Sequence, residues 1–503
     1  MGFSFDYLLQ GLLIALTWQN LLWAALGCFI GTLVGVLPGI GPVSGIAILL
    51  PLTTVLPPTS AIIMMAAIYY GAMYGGSTTA IVVNIPGEAS SVPTAIEGYE
   101  LAKQGKAGPA LAIAAIASFV AGTLGVIALT FFAPTLAQFA VLFGPSEYFA
   151  LMFMGLSLVI SLSGRALLKG IISMALGLTA GLIGQDPLTG AERLTFGSVT
   201  LTVGVDFIAI IVGLFAISEV MINVEQRLTT ISKMEVKSWL PTGADIKGCI
   251  GAMLRSSTVG FLLGLLPGCA PSVTSFVAYD LEKRASKHPE RFGHGAMDGL
   301  AATEGSNNAT STAGFVPLFS FGLPTAPSMA VLLGGLMMYG LQPGPMPCVQ
   351  SPDFVGAVIA SMYSGNVMLL VLNLPMIGVW VRIVRIPFYI LGPLIVFCAL
   401  VGTYSVRFQT FDIWIMLIFG VVGYFMRKLG FPIAPMVLAS VLAQMLETSL
   451  GQSLLISQGS VLIFFDRPIS AIFMALAFLS IGRGVWAQIK AKAPEVVTDD
   501  AEY

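Results

Sequence analysis

GVLPGIGP, residues 35–42, lies between two oily stretches and packs three glycines and two prolines into eight residues. A membrane-spanning helix wants neither, because proline removes a backbone donor and glycine weakens the helix. The break returns later as GLLPGCAP (264–271). Gly35, Leu37, Pro38, Gly39 and Pro42 recur as Gly264, Leu266, Pro267, Gly268 and Pro271, at a constant offset of 229 positions. The fold turns on why so apolar a chain interrupts its helix twice in the same way.

Of the 503 residues, 56% are hydrophobic and 10% charged, against about 25% charged in soluble domains. Apolar runs recur along the chain, among them LLWAALGCFIGTLVGVL from Leu21, AIIVGLFAISEVMI from Ala209 and WIMLIFGVVGYFM from Trp414. At roughly 17–25 residues per crossing they predict an all-α polytopic membrane protein with around 12 crossings. MGFSFDYLLQ lacks the basic region of a signal peptide, and Asp6 stands where a myristoylation signal wants Ser or Thr. The acidic end APEVVTDDAEY reads as a disordered tail. Cys28, Cys249, Cys269, Cys348 and Cys398 are scattered without the spacing of metal ligands. The net charge of −2 says nothing about partners.

A second pair of segments echoes the first. YGGSTTAIVVNIPGEASS (74–91) follows GVLPGIGP, and TEGSNNATSTAGFVPLFSFGLPTAPS (303–328) follows GLLPGCAP. Ile85-Pro86 and Leu323-Pro324 match at an offset of 238. An internal duplication is the simplest explanation. It divides the chain into a first repeat (1–224), a linker (225–247), a second repeat (248–486) and a tail (487–503).

Basic residues orient the halves, since cytoplasmic loops collect Lys and Arg. No Lys or Arg precedes Lys103; the first basic loop, EGYELAKQGKAG (97–108), follows the second motif of its half. In the second half the basic loop EKRASKHPERFG (282–293) falls between the two motifs instead. The positions equivalent to each loop in the other half carry no charge. This complementarity predicts inverted-topology repeats. Arg227, Lys233, Lys237 and Lys247, Arg382 and Arg385, Arg427 and Lys428, and Lys490 and Lys492 punctuate the later spans. With each cluster inside, the N-terminus falls outside and the C-terminus inside.

In hydrocarbon every backbone polar group needs a partner, so a Pro-Gly break is tolerated only where protein or a water-filled cavity surrounds it. Its gain is a helix end at membrane depth, whose unpaired N–H groups and positive dipole suit a carboxylate. The breaks therefore propose Gly39, Gly41, Gly268, Ser272, Pro324 and Thr325 as substrate-binding positions. Beside them, Ser77, Thr78, Thr79 and Asn84 offer hydroxyls and an amide, as do Ser306, Asn307, Asn308, Thr310, Ser311 and Thr312; of these, Ser77, Thr78, Thr79, Asn84, Asn307, Asn308 and Thr310 join the substrate-binding positions. Oxygen donors of this kind also suit a hard cation. Gly75, Gly76, Ser306, Asn307, Glu304 and Glu88 are the candidate cation positions, and one cavity is expected to hold anion and cation together. Small polar residues also mediate close helix packing, and Glu88 and Glu304 read equally well as caps of half-helices. Arg255 is expected to snorkel, His288 and His294 to be solvated, and Asn366 and Asn373 to bond between helices.

No HExxH and no GxxxxGK[ST] occurs. Both histidines sit in one loop, which leaves no Ser-His pair within the membrane. These absences argue against an enzyme, and no cofactor or transition-metal site is expected.

Four stretches carry a family resemblance: GVLPGIGP, YGGSTTAIVVNIPGEASSVPTAIEGYELAKQGKAGPAL (74–111), GLLPGCAPSVTSFVAYDLEKR (264–284) and PERFGHGAMDGLAATEGSNNATSTAGFVPL (289–318). They resemble the large membrane subunit of bacterial tripartite tricarboxylate transporters, over essentially the whole chain. One departure is Thr303, where the family commonly has proline, a change expected to relax a local turn. The resemblance implies the translocation subunit of a three-component importer in the bacterial inner membrane. Its partners would be a small membrane subunit and a periplasmic solute-binding protein. It also implies citrate or a related di-, tri- or aromatic carboxylate as substrate, and Na+ or H+ as coupling ion. The distantly similar ion-transporter superfamily implies a scaffold and an elevator-type transport domain. The site residues it carries over are the two Gly-Pro breaks and the clusters at 75–79 and 305–310. The competing reading is a channel or passive carrier for small anions.

Overall fold

The computed structural model describes residues 6–37, 41–161, 167–226, 240–341, 344, 351–383 and 388–492. Its longer helices are α1 (Asp6–Ala15), α2 (Trp18–Val36), α3 (Gly41–Leu49), α4 (Pro58–Val83), α5 (Val92–Lys103), α6 (Ala107–Ala140), α7 (Pro145–Ser161), α8 (Leu167–Gly181) and α9 (Phe207–Glu225). After the linker come α10 (Gly243–Gly264), α11 (Pro271–Ala285), α12 (Met297–Ala313), α13 (Pro327–Met338), α14 (Pro352–Ile383), α15 (Phe388–Arg407), α16 (Thr410–Lys428), α17 (Ile433–Ile456) and α18 (Pro468–Lys492). Among the described residues, nine helices are long and apolar enough to cross a membrane. Three shorter apolar helices, α7, α8 and α13, accompany them. The chain is a largely helical polytopic membrane protein.

The two halves repeat one order of elements: a long helix, a break, a short helix, a second long helix, a second break, a short helix and a very long helix. The packing repeats as well. Gly27, Gly31 and Gly35 form a stripe at every fourth position of α2. A Cβ at Gly31 would lie 2.4 Å from the Ile68 carbonyl oxygen, and one at Gly35 would lie 2.2 Å from that of Ala72. Only glycine lets two backbones approach so closely. Gly260 and Gly264 of α10 meet Ser306 and Thr310 of α12 in the same manner. Pairings 31–68 and 35–72 make α2 parallel to α4; 260–306 and 264–310 make α10 parallel to α12.

Two pairs of helices distant in the chain pack antiparallel. Ser77 bonds Glu304 while Tyr69 packs on Phe315, just beyond α12, so α4 and α12 are antiparallel. Asn366 bonds the Phe119 carbonyl and Tyr363 bonds Thr130, so α6 and α14 are antiparallel as well. Every residue of α4 from Ser60 to Val82, and of α12 from Gly299 to Ala313, is buried. Helices enclosed all round by protein can carry Ser, Thr, Asn and Glu at membrane depth, because no polar atom faces lipid.

The basic loops 97–108 and 282–293 meet. Glu97 of α5 accepts hydrogen bonds from the backbone N–H of Gly293 (2.5 Å), Gly295 (2.8 Å) and Ala296 (2.7 Å). Gln104 donates to the His294 carbonyl at 2.8 Å, so the two loops lie side by side. Lys169 reaches the Leu429 carbonyl at 2.5 Å, which brings the end of α16, with Arg427 and Lys428, to the start of α8.

Several expectations on single residues meet their answers here. Thr303 lies inside α12, where its hydroxyl bonds the Leu300 carbonyl, so no turn is present for it to relax. Arg255 forms a bidentate pair with Glu282, with its side chain 56% exposed. His288 and His294 are exposed. Asn366 joins α4, α6 and α14, whereas the amide of Asn373 bonds the Leu369 carbonyl of its own helix. Cys28 and Cys249 are buried free thiols; Cys348 lies outside the described residues.

Candidate functional site

All four breaks open on one cavity of about 530 Å³. Its wall takes Gly41, Pro42 and Ser44 from the first break, and Pro86, Gly87, Glu88 and Ala89 from the second. Ala270, Pro271 and Ser272 come from the third, and Ala326, Pro327 and Ser328 from the fourth. Tyr69 and Met73 of α4, Phe215 and Glu219 of α9, and Arg427 of α16 complete it.

The sequence builds this junction by starting helices there. Gly41 begins α3 at φ +64°, a left-handed conformation that suits glycine. Pro271 and Pro327 occupy the first turns of α11 and α13, where the missing N–H costs nothing. Their N-caps are Ala270 and Ala326, and neither helix has a side-chain cap. Three helix N-termini thus point positive dipole ends at the cavity, with Ser44, Ser272 and Ser328 among their first residues. The fourth start, the short 3₁₀ turn Ala89–Ser91 leading into α5, is capped by Glu88, which accepts from the Ser90 N–H at 2.9 Å. Gly268, at φ +85°, donates its N–H to the Thr325 carbonyl at 3.0 Å and ties the third break to the fourth.

The remaining wall carries one charged pair among apolar side chains. A π-helical turn at Gly213–Ile217 interrupts α9 immediately before Glu219. Glu219 pairs with Arg427, which is in the last turn of α16. Such turns often mark functional positions, since the extra residue re-aims the side chains that follow. Helix N-termini, serine hydroxyls and one guanidinium make a set of donors that fits an organic anion. Among the described residues no three of His, Cys, Asp and Glu cluster as metal ligands.

The structure divides the sequence-derived candidates. Gly41, Ser272 and Glu88 line the large cavity, and Pro324, Thr325 and Gly268 form the turns behind it. Gly39 lies outside the described residues. Asn84 is exposed and ends α4 in the left-handed conformation at φ 57°. Gly75 packs on the α2 backbone, 2.2 Å from Thr32 O to its ideal Cβ, and Gly76 faces the Glu88 side chain. Thr79 bonds the Gly76 carbonyl, and Thr310 bonds Thr274 and the Gly260 carbonyl. Ser311 and Thr312 bond the carbonyls of Asn307 and Asn308 in their own helix. Ser306 Oγ and both amide atoms of Asn307 are buried with no partner among the described residues, open valences that a ligand or water would satisfy.

Ser77, Thr78 and Glu304 belong to a second, much smaller cavity of about 20 Å³. Glu304 is buried inside α12, so it caps nothing. Its carboxylate accepts hydrogen bonds from Ser77 (2.7 Å), from Ser118 of α6 (3.3 Å) and from Thr94 of α5. Asn308 donates to Ser118 at 2.7 Å and to the Glu304 carbonyl at 3.2 Å. Hydrogen bonds to a charged group contribute about 1.5–3 kcal/mol each. Burying an ion costs several kcal/mol, and no Lys, Arg or His pairs with Glu304 among the described residues.

Arg427, Glu219, Ser44, Ser328, Thr94 and Ser118 are the side chains that sequence reasoning missed. Arg427 reads in the sequence as a topological marker, and nothing local says that α9 and α16 lean on the breaks. The match of Ser328 to Ser90 at the same 238-residue offset was a usable signal.

Comparison with known proteins identifies the family. The model of the tripartite tricarboxylate transporter TctA family matches residues 21–438. An uncharacterized 52.8 kDa protein in the TAR-I ttuC' 3' region of Agrobacterium vitis is 42% identical over 488 residues, 97% of both chains. A protein in the TAR-II ttuC' 3' region of the same organism is 38% identical over 241 residues, which is 48% of this chain and 100% of that protein. No solved structure matches. With its residues matched from 21 to 438, the chain belongs to the tripartite tricarboxylate transporter TctA family.

Proposed function

We propose that the chain is the translocation subunit of a binding-protein-dependent secondary importer of organic carboxylates. Citrate and related di-, tri- or aromatic carboxylates are the substrate class, and a Na+ or H+ gradient drives uptake by alternating access. The observation that carries this reading is the convergence of helix N-termini from both halves on one cavity beside Arg427. A carboxylate there meets backbone N–H groups, serine hydroxyls and a guanidinium that exchanges Glu219 for the substrate. A small membrane subunit and a periplasmic solute-binding protein complete the importer.

The opposite directions of α4 and α12, and of α6 and α14, support inverted repeats. The side-by-side basic loops support a cytoplasmic basic end in a bacterial inner membrane, with the N-terminus periplasmic and the C-terminus cytoplasmic. Alternating access then needs a transport domain that moves the breaks relative to a scaffold, as in an elevator.

Proteoliposomes holding this chain, its small partner and a cognate binding protein test the proposal. They are expected to accumulate labelled carboxylate under an inward cation gradient. Uptake indifferent to Na+ and pH gradients contradicts the coupling, and a requirement for ATP contradicts the mechanism.

A further inference from the structure

We propose that the small cavity beside Glu304 is a sodium site, with the Glu304 carboxylate and the hydroxyls of Ser77, Thr78 and Ser118 as its ligands. Its coupling role rests on the importer reading; the binding itself does not.

Four observations carry the assignment. First, the cavity measures about 20 Å³, which suits one water-sized occupant. Second, its polar wall offers oxygen from Glu304, Ser77, Thr78 and Ser118, with Asn373 beside them. Each hydroxyl that donates to Glu304 keeps at least one lone pair for a cation, Ser118 the one that Asn308 leaves. Hard oxygen donors without nitrogen or sulfur suit an alkali or alkaline-earth ion over a transition metal. Third, a single carboxylate balances one positive charge; a divalent ion would leave a net charge buried there. Fourth, the ligands come from α4 and α6 of the first half and α12 of the second. A bound ion therefore fixes these helices to one another.

The position also suits coupling. Ser77 is one and two helical turns from Met73 and Tyr69 of the same helix, which line the large cavity. An ion that orders this stretch of α4 presets the wall against which the anion binds.

The test is thermal unfolding of the purified full-length chain in detergent, with no carboxylate and no partner present. NaCl, KCl and choline chloride are compared at constant ionic strength across pH 6–8. Saturable stabilisation by Na+ alone is expected. Glu304→Gln, nearly isosteric, is expected to remain folded in choline and lose the Na+ response. Ser118→Ala is expected to retain the response with a dissociation constant raised roughly tenfold, the loss of one ligand to a charged centre. Radioactive Na+ binding to the same variants gives a readout independent of unfolding. Equal Na+ stabilisation of wild type and Glu304→Gln overturns the site. So does a wild-type response to pH with none to Na+, which makes Glu304 a proton carrier. Failed carboxylate uptake alongside a normal Na+ response leaves this site standing and refutes the importer reading.

Discussion

The two cavities share α4 but are built by opposite means. The large one arises where helices stop: α3, α11 and α13 begin there, and their N-termini present positive dipole ends, those of α11 and α13 without a side-chain cap. The small one arises where helices continue: α4, α6 and α12 pass through it intact, so their backbone groups are consumed and its polar groups come from side chains. One suits an anion, the other a cation. Breaking a helix and burying a polar stretch within a helix are therefore separate devices, one to two turns apart along α4.

The sharpest way to break this contrast is at the turn behind the large cavity. Gly268→Val forces a β-branched residue into φ +85°, at a cost of about 1–3 kcal/mol localised where the third and fourth breaks meet. Carboxylate uptake is expected to be lost while membrane insertion and the Na+ response persist. Next in size is Arg427→Gln. It removes a charged donor and leaves Glu219 unpaired, so KM is expected to rise roughly 10- to 100-fold, equivalent to 1.5–3 kcal/mol. Steady-state uptake measures this. Ser328→Ala removes one neutral hydroxyl and is expected to raise KM only about two- to tenfold.

A control belongs outside both cavities. Glu97 is fully buried and accepts from three backbone N–H groups and from Tyr279 at 2.7 Å, joining the basic loops of the two halves. Glu97→Gln is expected to lower stability by roughly 2–4 kcal/mol, from lost charge-assisted bonds. A lower Tm with unchanged KM and unchanged Na+ affinity marks it as structural.

Much of this was legible in the residues. The paired Gly-Pro breaks predicted interrupted helices, because proline and glycine act locally and the repeat doubled the signal. The meeting of the breaks was legible too, since a broken helix at membrane depth needs a protected cavity. That the candidate anion and cation positions divide between two cavities was not legible. Ser77 and Glu304 are close to the breaks in sequence, but which face of a wholly buried helix points where depends on neighbours on every side. α4 and α12 carry no polar stripe to decide it. Arg427 was hidden for another reason: a cation in the last turn of a membrane helix looks the same whether it anchors the helix or lines a cavity.

The most direct test of the central claim uses single cysteines at Ala89 and Ser272, one from each half, in a background without the native cysteines. Labelling by a thiol reagent is measured with and without citrate, succinate and terephthalate. If the breaks of both halves form one anion site, a transported carboxylate protects both positions at the same half-saturating concentration. Protection of one position alone, or of neither by any carboxylate that the importer takes up, contradicts the account.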